Sequence, residues 1–310
     1  FLPNALHQAP GIALNVSIWA LNRAEWADAM LAALGAKKQR GAGQKVEGVE
    51  ESPTKTSKKS IKDRFEIEMH EVSDEFVQCW QAAGRHLQSK THDGQLDWLK
   101  AKLDPPFLEH LSFRMGNQLF YVRIDDVDGN VHGPGNLNGF RTIADGCSGH
   151  ACRMPMRFNG ENWETTEPGW GLIDDATDRL ISPVDLITDE KIEMTDWEVH
   201  DFAVQVVRDY VTDKLGHQLM SSQGNPNVDP SIWFVGEDGP EWIVVRSGRF
   251  PVKDANRPEN LADIAASCAH LSNVGHFASV TVANSDGGFG LWRGHSMYVR
   301  FVGLETAVSE

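Results

Sequence analysis

The chain has 310 residues, 41% hydrophobic and 24% charged, the balance of a soluble globular protein long enough for two ordinary domains or one large one. A formal charge of −15 excludes broad, non-specific nucleic-acid binding, which needs Lys and Arg to neutralise phosphates; a local basic groove or a metal-bridged phosphate contact stays open. Four irregularly placed Cys exclude a disulfide framework and predict a reducing, cytoplasmic compartment, and no apolar run reaches the roughly 18 residues of a membrane-spanning helix, so no membrane partner is expected.

The chain begins at Phe1 rather than Met, which reads as a processed terminus or a fragment, and no basic stretch precedes an apolar one as in a signal peptide. Residues 12–34 carry Ile12, Val16, Trp19, Trp26, Met30 and Leu31 at helical spacing, so the N-terminal segment 1–36 reads as a docking helix ending at Gly35. From 37 to 60 large apolar residues nearly vanish, which predicts a flexible linker. Lys55, Lys58, Lys59 and Lys62 form a small basic cluster in and beside it.

Residues 61–190 read as a helix followed by a β-rich domain. Phe65, Met69, Val72, Phe76, Cys79, Trp80 and Ala83 give helical spacing over 61–87. A shorter helix is predicted over 95–102, before Pro105-Pro106. Residues 118–124 are apolar on both faces, the pattern of a buried strand. Asp125 to Asn130 reads as a turn: Val131 and Leu137 stand where an EF-hand needs Gly and Glu. Gly133 to Gly139 lacks the spacing of a dinucleotide fingerprint. Cys147, His150 and Cys152 form a metal-like cluster without a fourth zinc ligand nearby in sequence. Cys147 beside Asp145 and His150 is a candidate nucleophile. Residues 163–188 read as short strands and loops.

The last third, 191–310, carries the clearest signals. Thr195 and Glu198 form a capping box, and Val199, Phe202, Val206 and Tyr210 make one apolar stripe of a helix that ends at Gly216. Gly224-Asn225-Pro226 marks a turn. Residues 231–235 and 241–246 read as a β-hairpin around Gly236 to Pro240. A second helix is predicted over Leu261 to Leu271, and further strands over 277–282 and 295–302.

Helix, β-hairpin, helix, strand resembles the core of the restriction-endonuclease-like, or PD-(D/E)XK, superfamily. That resemblance implies a helix acid, an Asp opening the second core strand, and an acid-x-Lys triplet on the third. It further implies that the acids hold one or two Mg²⁺ ions while the Lys positions the attacking water. By position, Glu198 takes the helix acid, Asp229 the strand Asp and metal ligand. The triplet is degenerate. One register pairs Val244 with Arg246, the other Glu241 with Ile243, and neither supplies both acid and cation. Glu198 also reads as a cap residue and Asp229 as a turn initiator before Pro230.

The expected fold is α+β: a helical N-terminal segment, a β-rich middle and a C-terminal mixed sheet flanked by helices, of restriction-endonuclease-like shape. The expected function is a non-catalytic or decayed nuclease-like module that binds a macromolecular partner, protein or nucleic acid, with no cofactor. The alternatives are an active Mg²⁺-dependent nuclease with migrated residues among Asp229, Glu241, Arg246 and Glu198, or an interaction protein of unrelated α+β fold.

Overall fold

Ser73 starts the first helix. Its backbone is extended and its hydroxyl accepts from Phe76 N at 3.1 Å, so α1 runs Asp74–Ser89. The computed structural model describes residues 72–91, 96–103 and 110–307, all within one compact unit. The expected helix at 12–34, the linker at 37–60, the basic cluster of Lys55 to Lys62 and the 61–71 part of the next helix lie outside the described residues. Phe76, Cys79, Trp80, Ala83 and Leu87 recur at helical spacing and are buried, which turns one face of α1 onto the first sheet.

That sheet contains β1 (Asp97–Lys100), β2 (Leu111–Met115), β3 (Gln118–Asp126), β4 (His150–Phe158), β5 (Trp163–Thr165), β6 (Leu172–Asp174) and β7 (Leu180–Ile181). Its order is β1-β2-β3-β4-β6-β7, with β5 also on β4. The helix expected over 95–102 is instead strand β1, antiparallel to β2. Pairing overrides local propensity there: Trp98 sets its ring edge-on to Phe113 at 5.9 Å and donates to Gln88 Oε1 at 3.0 Å, and Arg114 pairs with Asp97. The strand expected at 118–124 is β3, with Leu119 to Val122 all buried. β3 and β4 are parallel, and α2 (Leu137–Gly146) joins them, capped by Asn136, whose side chain accepts from Gly139 N at 2.8 Å. The sequence reading did not place α2. Phe140 and Ala144 cover Leu119, Tyr121 and Cys147.

The second sheet is built around α3 (Asp196–Asp209), which continues as a π turn over Tyr210–Lys214 before Gly216 takes φ 71°. Both halves of the Thr195–Glu198 capping box are present. Strands β8 (Gln218–Ser222), β9 (Ile232–Val235) and β10 (Pro240–Arg249) form an antiparallel meander. The chain then forms α4 (Leu261–Cys268) and returns as β11 (Gly275–Asn284), parallel to β10. β12 (Met297–Phe301) and β13 (Glu305–Thr306) flank β11 antiparallel, giving the order β12-β11-β10-β9-β8. The expected hairpin and the strand at 277–282 thus share one sheet, with both expected helices packed on it and the second ending at Cys268 rather than Leu271; β8 is an addition to that reading.

Strand alternation divides this sheet's two faces. Ile243 and Val245 meet Phe202, Ala203 and Val206 of α3, while Trp242 and Val244 meet Leu261, Ile264 and Cys268 of α4. Gly275 lies against the Trp242 ring so closely that a Cβ would collide with it. The molecule is mixed α+β, with a helix leading into a β-rich middle and a C-terminal sheet between helices.

α3 also touches the first sheet's layer. Trp197 packs on Gly146 and the α2 cluster, and Thr195 Oγ1 donates to Gly146 O at 2.9 Å. Nearly all of its circumference is therefore buried.

Candidate functional site

The four residues singled out from sequence fall into three separate pairs. Asp229 sits in the β8–β9 turn just before Pro230. Pairing of β9 with β10 stops at Ile243, and beyond it Ser231 bridges the gap: its N donates to Ile243 O at 2.9 Å and its Oγ accepts from Val245 N at 3.3 Å. Arg246 lies past that divergence. Its Nη1 donates to Asp229 Oδ1 at 2.8 Å and its Nη2 to Oδ2 at 2.6 Å, the parallel two-bond fork that suits a guanidinium to a carboxylate. The structure therefore brings Asp229 and Arg246 together, each of them mostly shielded from solvent.

Glu241 is held elsewhere. His276 Nε2 donates to its Oε2 at 2.6 Å, from β11 across to β10. Glu198 is committed to the junction between the sheets. Its Oε2 accepts from Thr195 N at 2.8 Å, and both its oxygens take Arg293 donors at 3.0 Å. Arg293 also donates through Nη2 to Cys147 O at 2.5 Å and Ser148 O at 3.3 Å. Val244 is fully buried against α4 and offers no oxygen.

Each carboxylate thus has its own cation or imidazole. Among the described residues no group of three or more His, Cys, Asp and Glu is placed to hold a metal ion. Cys147, His150 and Cys152 do not converge either. His150 shares a hydrogen bond with Gln118 at 3.2 Å, and Cys152 Sγ lies 3.8 Å from His150 O. Burial pushes the Cys147 thiol up to about 12, the opposite of what a nucleophilic thiolate needs.

Beside α3, between the two sheets, lies a cavity of about 460 Å³. Its walls come from β1 to β3 and α2 on one side, and from α3 and the β8–β9 turn on the other. α3 contributes a polar edge: Lys100 Nζ donates to Asp201 Oδ1 at 2.8 Å, and Gln205 Nε2 donates to Asp201 Oδ2 at 3.0 Å. One turn on, Arg208 pairs with Asp209 at 3.0 Å. Phe140, Tyr121 and Trp197 supply aromatic surface, and His110 meets Phe140 edge-on at 5.1 Å. Burial, reinforced by Arg123, holds His110 down to about 4, so its imidazole is neutral near pH 7.

The family described as a domain of unknown function (DUF8840) matches residues 197–307, from the first turn of α3 through β13. No curated protein and no solved structure matches the chain. The matched region contains Asp229, Glu241, Arg246 and one wall of the cavity, while Lys100, His110, Tyr121 and Phe140 lie outside it. Among the described residues no helix is long and apolar enough to cross a membrane.

The cavity residues were not found from sequence. Asp201, Gln205 and Arg208 recur at i, i+4 and i+7, which reads as the wet side of an amphipathic helix. A buried helix with a polar stripe of that spacing has the same pattern, and only the packing of a second layer separates the two.

Proposed function

We propose that the chain is a non-catalytic binding module on a restriction-endonuclease-like scaffold. What supports the scaffold is the order helix, three antiparallel strands, helix, parallel strand. What carries the non-catalytic reading is the fork of Arg246 on both oxygens of Asp229. Mg²⁺ binds through oxygen and needs open coordination positions for a phosphate. Asp229 spends its oxygens on a guanidinium that keeps its charge at every working pH. Glu198 and Glu241, the other candidate acids, are tied to Arg293 and His276. With each candidate acid already paired to a cation or an imidazole, the region is suited to holding structure for a bound partner rather than to metal-dependent cutting.

The test is incubation of purified protein with linear duplex and single-stranded DNA and RNA in Mg²⁺ or Mn²⁺, with and without EDTA. Substrate should stay intact in every lane. Metal-dependent cleavage that Asp229→Ala abolishes in folded protein would overturn the reading and make the chain a nuclease.

A further inference from the structure

We propose that β12 is the surface through which two copies of this chain pair, edge to edge, into one continuous antiparallel sheet. This goes beyond the reading of Asp229 and Arg246 and does not depend on it, since those residues lie in the β8–β9 turn and on β10.

β12 ends the second sheet, so only one of its sides is used. Ser285 N donates to Ser296 O at 3.1 Å. By the alternation of an antiparallel ladder, Tyr298 and Arg300 then turn their backbone groups toward Ala283 and Thr281 of β11. Met297, Val299 and Phe301 turn theirs outward, where no strand pairs with them among the described residues. The bridge of Glu193 to Trp292 stops short of β12. Proteins usually blunt such an edge with a bulge, a proline, a charge or brevity. The other edges of the described sheets are blunted in this way. β1, β5, β7 and β13 have four residues or fewer, and β8 has a register shift between Leu219 and Ser221. β12 keeps unbroken register with β11 over five residues and contains no proline, lysine or acid.

The occupant is a second copy because β12 is its own complement. A two-fold axis at Val299 sets this residue opposite Val299 of the second copy and Met297 opposite its Phe301, each pair exchanging two hydrogen bonds. These contacts are apolar on apolar, along the face that already packs with α3. On the other face Tyr298, 52% exposed, stands opposite Arg300 of the second copy. The Arg300 guanidinium is held on that face by Lys253 O at 3.2 Å and Asp254 at 3.0 Å, and a guanidinium beside an aromatic ring is an attractive pair. Two chains of charge −15 repel as wholes, but at physiological salt the Debye length is about 8 Å, and β12 brings no carboxylate to the contact.

Sedimentation equilibrium of the full chain at physiological salt should show a reversible monomer–dimer transition as concentration rises. Hydrogen exchange reads the same edge without a variant. The amides of Met297, Val299 and Phe301 should exchange freely in dilute protein and become protected as dimer forms, while those of Tyr298 and Arg300 stay protected throughout. Val299→Pro removes an outward donor that β11 does not use, and should weaken the dimer about tenfold or more. Val299→Lys and Val299→Glu should each weaken it too, by setting like charges at the axis, and an equimolar mixture of the two should recover it. A monomer at every concentration overturns the proposal. So does a dimer whose outward β12 amides still exchange freely, a dimer that Val299→Pro leaves unchanged, or folded Lys and Glu variants that fail to complement each other.

Discussion

Replacing Arg293 by Met tests whether the Glu198 carboxylate is an anchor between the sheets. The Arg293 and Glu198 side chains are 2% and 8% exposed, so water does little to screen the pair. The substitution keeps most of the side-chain volume and removes the guanidinium. It leaves a buried carboxylate held only by Thr195 N, and it strips the Cys147 and Ser148 carbonyls of their shared donor. Removing one partner of a buried ion pair costs about 3–5 kcal/mol. At about 2–4 °C per kcal/mol for a domain of this size, the melting temperature should fall by roughly 6–20 °C. Glu198→Gln is gentler, about 1.5–3 kcal/mol, because an amide oxygen still accepts from Arg293 and still completes the capping box. The double variant should lose less than the sum, with a coupling of about 1–3 kcal/mol. Urea unfolding followed by circular dichroism measures all three. A loss below about 1 kcal/mol for Arg293→Met, or strict additivity, would show that Glu198 is not committed to Arg293 and would reopen it as a helix acid for a metal.

Other substitutions and conditions test the packing and the buried groups. Gly146→Ala places a Cβ against the Trp197 ring and should cost about 1–3 kcal/mol by overpacking, read as a lower urea midpoint; an unchanged midpoint would mean that the α2–α3 contact is loose. All four cysteines are free and buried, and burial raises each thiol, so Ellman's reagent should titrate none in native protein at pH 8 and all four in guanidinium. Burial lowers His110 to about 4 and also lowers His86, His150 and His200, while unfolded imidazoles titrate near 6.5. The unfolded chain therefore binds more protons between those values, so stability held above pH 6.5 should decline as pH falls toward 4. His110→Gln should flatten part of that decline, and a urea midpoint that rises from pH 6.5 to 5 would refute the assignment.

What was legible in the sequence is what short-range chemistry writes there. The α3 start needs only Thr195 and Glu198, three residues apart, and both make the expected bonds. β9, β10 and β11 carry enough β-branched and aromatic residues to declare themselves. β1 and β8 do not: each is five residues or fewer, each has a register shift, and each becomes a strand because a neighbour supplies the pairing. α2 hides because Gly139 and Gly146 read as loop residues, although Gly146 is the point at which Trp197 comes close. Asp229 and Arg246 were visible as candidates, but their fork depends on β9 leaving β10 at Ile243, a fact of pairing rather than of spacing. The cavity was invisible for the same reason. Lys100 and Asp201 are 101 residues apart and meet only when α3 lies between the sheets.

One helix sets both candidate sites. α3 gives its apolar stripe to the second sheet, its Trp197 to α2 and its Asp201, Gln205 and Arg208 to the cavity. The β8–β9 turn closes the cavity from the other side. At Gly224 it runs so near Asp201 that a Cβ would strike the carboxylate. The same turn is knitted internally, with Gln223 Nε2 donating to Val228 O at 2.5 Å and Gln223 N donating to Ser231 O at 2.9 Å, and it carries Asp229 to Arg246. Its backbone therefore has contacts to α3 at one end and an ion pair to β10 at the other. The half-buried fork of Arg246 and Asp229 is well suited to that work, because a two-bond guanidinium–carboxylate pair fixes orientation as well as distance. On this geometry the Asp229–Arg246 pair serves to hold the turn that forms a wall of the cavity. That also accounts physically for an Arg at this strand position, since a Lys ammonium, a point charge on a flexible stem, would not lock the turn in one orientation.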